Sequence, residues 1–538
     1  MSLFSQLLVL LIAPLVLGTL LRCRRYPLPL PPGPKGLPLI GSIWDISKDS
    51  DLSWIRFWKW SQIYGDVFQF KVLGHRTIVL NSQEAINTLL EKRSSNYSDR
   101  PDMPMFQELM GAEWSFSVFR HTDWWRLHRR VFHQRFQPRV MPEYYDTQRL
   151  AADTLMENLT ASPDRFIEHI NNYTSSIILK IVYGYTLKEK DDPYFRLVFD
   201  ALEGISAGAT FGTFWVDYLP VLKYIPSWVP GASFKRKAKE WNKPIIGLRD
   251  KPWGWVQRAI EEGTAEPSFC TQSAEWVSET AANNAEMETV IKNCATMSFL
   301  AGTETSAAAL VSFVLAMVLH PELQVRAQKE IDGVVGPGRL PDFEDRDKLP
   351  FVNALLAETL RWNPVAPLGL AHRASHDDVY EGHFIPAGST VVANAWAVLH
   401  DEKLYGRNPL EFNPERFMNN DGNGKAPPNP ELFVFGFGRR ICPGRHFAMN
   451  ITYLAMSRIL ASFTIARAVD DQGNEIIPDA RYADGAPCTA IQMPAHSKEP
   501  WQNGASAGMI DSEGDPASYH GNNRSESAIR STHANVLI

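Results

Sequence analysis

The chain has 538 residues, 44% of them hydrophobic, enough for one large core and too many for a disordered protein. Lys plus Arg number 54 against 60 for Asp plus Glu, a net charge of −6; the basic footprint of a nucleic-acid binder is absent, and no nucleic-acid partner is expected. Five scattered cysteines (Cys23, Cys270, Cys294, Cys442 and Cys488) form no CxxC pair and no even framework, which excludes a disulfide scaffold and fits a reducing compartment.

Residues 3–21, LFSQLLVLLIAPLVLGTLL, carry no charge and are about as long as the ~20-residue helix that crosses a bilayer. Arg22, Arg24 and Arg25 follow the run instead of preceding it. That order argues against a cleaved signal peptide and, by the positive-inside rule, puts the remainder of the chain in the cytosol. Residues 1–21 are therefore predicted to be a transmembrane signal anchor. Residues 22–41 are basic and then proline-rich (YPLPLPPGPKGLPLIG), which predicts a stiff extended hinge.

From residue 42 to 496 no linker, repeat or low-complexity tract interrupts the pattern, so one large domain is expected. Apolar residues recur at three- and four-residue spacing in SQEAINTLLEKRSS, DTQRLAADTLMENL, the long AEMETVIKNCATMSFLAGTETSAAALVSFVLAMVLH, PELQVRAQKEIDGVV, LPFVNALLAETLRWN and GRHFAMNITYLAMSRILASF, all predicted helices. VFQFKVLGHRTIVLN and STVVANAWAV are strand-like, and DDVYEGHFIPAG carries a hairpin signal. The expected fold class is mainly α with small β-sheets. Residues 497–538 turn polar and are expected to form a disordered tail.

The stretch FGFGRRICPG, residues 435–444, sets one cysteine among glycines and arginines. It lacks the Gly-Lys-Ser/Thr end of a phosphate loop and the third glycine of a dinucleotide loop. An inert buried thiol is the plainer alternative. Against it, Gly436, Gly438 and Gly444 let backbone approach a large flat object, and Arg439 and Arg440 favour thiolate. A lone thiolate with no second ligand at zinc spacing is what a haem with one protein axial ligand uses.

These residues carry a family resemblance. Phe435, Gly438, Arg440, Cys442 and Gly444 match F-x-x-G-x-R-x-C-x-G, the haem-binding signature of the cytochrome P450 family. Glu358 and Arg361 match its E-x-x-R helix, FNPERF (412–417) the segment that follows, AGTETS (301–306) its oxygen-activation stretch, and Trp125 and Arg129 its W-x-x-x-R helix. The chain thus resembles a cytochrome P450 of fungal microsomal type; WVDYLPVLKYIPSWVPGASFKRKAKEW is similar to O-methylsterigmatocystin oxidoreductase-like members.

The resemblance implies haem b with Cys442 as axial iron ligand, Phe435 and Gly436 beside the macrocycle, and Gly444 in the turn around the sulfur. It nominates Arg440, Arg129, Trp125 and His372 for the propionates, with Arg373 and Trp124 as alternatives to the last two. Glu358, Arg361 and Arg416 are implied to be structural. Glu304 and Thr305 are implied to relay protons, with a local helix distortion at Ala301-Gly302; the plainer alternative is a Thr305 hydroxyl bonded back to the Ala301 carbonyl.

The implied reaction is monooxygenation of an apolar small molecule by O2. NADPH electrons would come from an NADPH cytochrome P450 reductase, docked in part on Arg126, Arg129, Arg130, Arg135 and Arg139, at the endoplasmic reticulum membrane. Phe106, Phe116, Phe119, Phe211, Phe214, Phe299 and Leu368 are the expected substrate contacts, with a terpenoid favoured over a polyketide or indole-type aromatic. A haem-thiolate isomerase or dehydratase and a haem sensor are the alternatives from other classes.

Overall fold

The computed structural model describes residues 26–47, 52–188, 191–280, 284–418 and 426–467, together with residue 475 and two short strands at 509–510 and 534–537. The predicted anchor, residues 1–21, lies outside the described residues, as does most of the polar tail. The chain is mainly α-helical with small sheets.

The longer helices are α1 (Ser53–Tyr64), α2 (Asp123–Phe136), α3 (Tyr145–Ala161), α4 (Phe166–Tyr183), α5 (Pro193–Gly208), α6 (Ser233–Glu261), α7 (Phe269–Thr280), α8 (Asn284–Leu319), α9 (Pro321–Val334), α10 (Pro350–Trp362) and α11 (Arg445–Ser462). Their ends follow local chemistry. Thr122 caps α2 by accepting the Trp125 N–H, Asp192 caps α5 by accepting two, and Gly184 closes α4 in the left-handed region at φ +74°. Prolines open α5, α9 and α10, where the missing N–H costs nothing.

Helix α8 is the axis of the main core, packed by α2, α4, α6, α7, α10 and α11. Among the described residues it is the one helix long and apolar enough to cross a membrane, yet most of its surface is buried inside the protein. A helix apolar on every face belongs in a large core or in lipid; here the core supplies the partners.

Four strands form the larger sheet: β1 (Val67–Val72) pairs antiparallel with β2 (His75–Leu80), β2 parallel with β6 (Thr390–Ala393), and β6 antiparallel with β3 (His372–Arg373). β4 (Asp378–Tyr380) and β5 (His383–Ile385) make the hairpin expected in DDVYEGHFIPAG. β7 (Phe463–Ala466) pairs with β9 (Ala534–Leu537), which pairs with β8 (Met509–Ile510). Parts of STVVANAWAV and SQEAINTLLEKRSS depart from expectation: residues Ala395–Leu399 are helical, and Asn87–Lys92 form a π-helix.

The described part of the expected hinge, residues 26–41, is docked on the domain instead of standing free. Pro32 O accepts the Gln69 N–H at 2.8 Å and Pro29 O the Phe384 N–H at 2.7 Å. Proline lacks a donor but keeps its carbonyl, so a proline-rich strip can still line a sheet edge as acceptor.

Candidate active site

The loop from Phe435 to Gly444 is closed on itself by the Cys442 N–H donating to Phe435 O at 2.7 Å, with Ile441 N–H on Gly438 O at 3.2 Å. Gly436 and Gly438 adopt φ of +77° and +56°, conformations costly for any side chain. A Cβ on Gly438 would also meet Leu90 O at 2.2 Å. Burial pushes the Cys442 thiol up; the Gly444 amide, Arg129 and Arg445 pull it back down. Gly444 and Arg129 therefore both act on the sulfur, and Phe435 packs half-buried against the main core.

Trp125 and Arg129 sit one turn apart on α2, a spacing that puts them on one face. Trp125 is buried, and the Arg440 guanidinium carbon lies over its ring, 4.2 Å from the centroid. Trp124 instead meets His128 edge-on at 4.6 Å, so of the two tryptophans it is Trp125 that reaches Arg440. Arg440 is buried; its Nε donates to Ser98 O at 2.7 Å and its Nη2 to Phe119 O at 2.6 Å. Its Nη1 is buried with no hydrogen-bond partner among the described residues.

Arg100, which the sequence reading did not single out, stands beside it. It is buried and spends its donors on backbone carbonyls of Ser117, Leu370 and Ala371. Burial pulls Arg440 down to about 8, with Arg100 and Arg129 pushing the same way and Asp99 opposing. Asp99 itself is engaged elsewhere, accepting from Arg120 at 2.7 Å and from the His121 N–H at 3.0 Å. The cluster therefore holds buried positive charge without a matching buried anion.

His372 is buried on β3, and its Nδ1 donates to Tyr97 O at 2.7 Å. Burial and Arg100 hold the ring well below its ordinary pKa. With Nδ1 committed as donor, Nε2 donates only when the ring is charged, a state that a neighbouring anion would favour. Arg373, the alternative to His372, is half-buried and ion-paired with Asp102 at 3.7 Å.

A flat dianion fits this donor set. Two propionates would meet the free Nη1 of Arg440, the Arg100 charge and the His372 edge, while glycine backbone and a single sulfur border the face. The residues present therefore suit the haem expected from the resemblance.

Glu304 and Thr305 lie on α8, and no side-chain hydrogen bond among the described residues links them to the Cys442 cluster. Burial pushes Glu304 up to about 8, and its Oε2 has no partner among the described residues. Thr305 Oγ1 donates to Ala301 O at 2.7 Å, the plainer of the two expected arrangements. The helix distortion expected at Ala301-Gly302 is absent, since α8 continues as α-helix through them. A Cβ on Gly302 would meet Ile178 Cδ1 at 2.6 Å, so the small residue serves close packing of α4 on α8.

Glu358 and Arg361 are fully buried and bidentate, Nε–Oε2 at 2.6 Å and Nη2–Oε1 at 2.7 Å. Glu358 also accepts the Asn413 N–H at 2.6 Å and faces Arg416 at 3.5 Å. Arg361 donates to the carbonyls of Leu399, Pro409 and Glu411. This network joins α10 to the segment before the Cys442 loop.

The seven expected substrate contacts divide among several environments. Phe116 and Phe119 surround the His128 ring at 5.8 and 5.1 Å. Phe211 meets Tyr218 at 5.4 Å and Phe214 meets Trp241 at 6.2 Å. Phe106 is buried near Gly208. Phe299 is fully buried edge-on to Tyr183 in the α4–α8 packing, and Leu368 packs with the Phe57, Phe68 and Phe70 cluster. A cleft of about 460 Å³ lined by Arg346, Asn353, Leu356, Leu360, Glu431 and Met449 contains none of the seven and no residue of the Cys442 loop.

Comparison with known proteins agrees with the motifs. A family profile described as Cytochrome P450 matches residues 31–479. The chain is similar to a cytochrome P450 monooxygenase of Armillaria gallica, 42% identical over 466 residues, or 86% of this chain and 90% of the relative. It is likewise similar to cytochrome P450 monooxygenase COX2 of Coprinopsis cinerea, 41% identical across 85% of each chain. A tryptamine 4-monooxygenase of Psilocybe cyanescens is 39% identical over 85% of this chain and 90% of its own length. With the motifs in order and the match running through nearly the whole described domain, the chain belongs to the cytochrome P450 family and is an oxidoreductase of its monooxygenase class, which works with haem, O2 and electrons from a reductase.

Proposed function

We propose that the chain is a haem-thiolate monooxygenase inserting one oxygen atom of O2 into an apolar small molecule, by hydroxylation or epoxidation, as a tailoring step in fungal secondary metabolism. A terpenoid scaffold is the favoured substrate. The observation that carries the reading is the Cys442 loop closed on Phe435 O, with the buried Arg440 guanidinium stacked on Trp125 and its Nη1 left without a partner among the described residues. When bound, the haem supplies the oxygen activation and one-electron chemistry that side chains lack.

Cys442 would hold the haem iron through its sulfur, and the Gly444 amide with Arg129 and Arg445 favours its thiolate. Arg440, Arg129, Trp125 and His372, joined by Arg100, would hold the propionates, while Phe435 and Gly436 would border the macrocycle. Glu304 keeps its proton up to about pH 8 and so can hand one on at neutral pH through Thr305 Oγ1, which first releases Ala301 O. Glu358, Arg361 and Arg416 hold the fold beneath the loop.

Electrons derive from NADPH through an NADPH cytochrome P450 reductase. Arg130 and Arg139 are exposed for such docking, whereas Arg126 is ion-paired with Asp123. Anchoring at the endoplasmic reticulum rests on residues 1–21. The exposed ridge of Trp215, Leu219, Val221, Tyr224 and Trp228 supports contact with a lipid surface.

A second reading, an indole-type amine as substrate, is favoured by the name of the Psilocybe relative. Co-expression with a reductase and separate feeding of terpene, polyketide and indole precursors decides between them. A mass gain of one oxygen on a terpene supports the first, on an indole amine the second, and no oxygenated product from any precursor contradicts both.

A further inference from the structure

The Cys442 loop is built against a segment that lies outside all the motifs named above. Residues Asn87–Lys92 form a π-helix, an irregularity common where side chains must be re-aimed for function. Its Leu89 and Leu90 are buried, while Glu91 is exposed at its surface. Glu91 Oε1 accepts the Gly438 N–H at 2.6 Å.

Gly438 is in left-handed backbone, where an added Cβ would strike Leu90 O at 2.2 Å and Ser94 Cβ at 3.0 Å. The loop and the π-helix are thus in backbone contact at this one residue. Seven residues beyond Glu91, Ser98 O takes Arg440 Nε at 2.7 Å. The support is itself fixed, because Arg93 Nη1 donates to Asp378 Oδ1 at 2.9 Å and Tyr97 OH to Asp378 Oδ2 at 2.9 Å.

We propose that Glu91 is a positioning residue for the axial ligand: its carboxylate grips Gly438 N–H and so sets where the Cys442 sulfur stands. The path is short. Gly438 O takes the Ile441 N–H, and the next residue, Cys442, donates its own N–H to Phe435 O. Both peptide units flanking Gly438 are therefore restrained, one by Glu91 and one within the loop. Among the described residues Glu91 is the one side chain outside the loop that takes a loop N–H. A charged acceptor makes a stronger hydrogen bond than a neutral one, and an exposed carboxylate reaches the loop without paying a burial cost.

The proposal rests on the reading of Cys442 as iron ligand, and the test separates the two. Haem-loaded full-length wild type, Glu91→Ala, Glu91→Gln and a neighbouring control, Lys92→Ala, are reduced under CO. The rate at which each loses its thiolate-type absorption band in mild denaturant is followed beside its helix-unfolding midpoint. Glu91→Ala is expected to lose the band roughly tenfold faster at an unchanged midpoint, while Glu91→Gln, which keeps an acceptor oxygen, and Lys92→Ala stay within about twofold of wild type.

Band loss in Glu91→Ala at the wild-type rate overturns the proposal. So does acceleration matched by an equal fall in the unfolding midpoint, or a Glu91→Gln as fast as Glu91→Ala. A wild type that never shows the thiolate-type band sinks the Cys442 reading instead.

Discussion

Arg440 and Trp125, 315 positions apart in the chain, form a cation–π pair with the guanidinium carbon 4.2 Å from the ring centroid. The indole covers one side of a charge whose Nη1 has no partner among the described residues. Trp125→Leu should therefore weaken haem binding by about 1 kcal/mol, roughly fivefold. Arg440→Met, which removes the charge, should cost about 2 kcal/mol, on the order of thirtyfold. Haem titration of the two variants checks this; wild-type affinity in Arg440→Met would contradict the assignment.

The Glu358–Arg361 pair should be expensive to break on one side. Arg361→Ala strands a buried carboxylate and three backbone carbonyls, and a loss of about 3–5 kcal/mol is expected. Replacing both partners with Leu and Met should cost less than either single change, since the one charge then left without a carboxylate, Arg416, keeps its backbone carbonyl acceptors. Denaturant unfolding of the singles and the double closes the cycle.

Glu304 gives a pH dependence of definite sign. Burial raises its folded value to about 8 from 4.5, so between those values the native state binds more protons than the unfolded chain. Its contribution to stability then falls as pH rises from about 4.5 to about 8, by on the order of 1 kcal/mol per pH unit at most. Glu304→Gln should be free of this slope. Urea unfolding of both proteins from about pH 5 to about pH 8 should show the variant gaining on wild type as pH rises.

Thr305→Ala should separate coupling from stability. Its hydroxyl bond lies within the helix at 2.7 Å, so the loss in unfolding free energy should stay near ~1 kcal/mol. Product formed per NADPH should drop at least about tenfold, with peroxide released instead. Thr305→Ser, which keeps a hydroxyl, should recover most of the coupling. Unchanged coupling in Thr305→Ala would remove the residue from the relay.

Much of the fold was readable because its long helices carry strong periodicity: residues 284–319, 321–334, 350–362 and 445–462 fall within a residue or two of the patterned stretches. Helix α6 escaped notice because Pro244 and Pro252 interrupt its pattern, and α4 because its buried residues fall on nearly every face. Fixed-spacing motifs announced Cys442, Arg440 and the buried Glu358 pair. Arg100 was hidden, since an arginine before a proline carries no local sign that tertiary contacts will bury it. Glu91 was hidden too, because its partner is a backbone N–H 347 positions away. Ala301-Gly302 was misjudged: small residues in a helix serve close packing and distortion equally well, and only the position of Ile178 tells which.

The paired guanidinium groups of Arg100 and Arg440 also bear on how the chain reaches its native state. Ser98, Phe119, Leu370 and Arg440 converge there from separate stretches of chain, so closing the corner carries the entropy cost of ordering long loops. Two like charges must be brought together in low dielectric at that step, which opposes closure. A dianion that binds only the closed form shifts this balance by mass action. Cofactor supply during synthesis is thus a folding variable: haem-starved cells should accumulate chains whose outer helices are formed and whose 97–120 and 435–444 segments are open to protease.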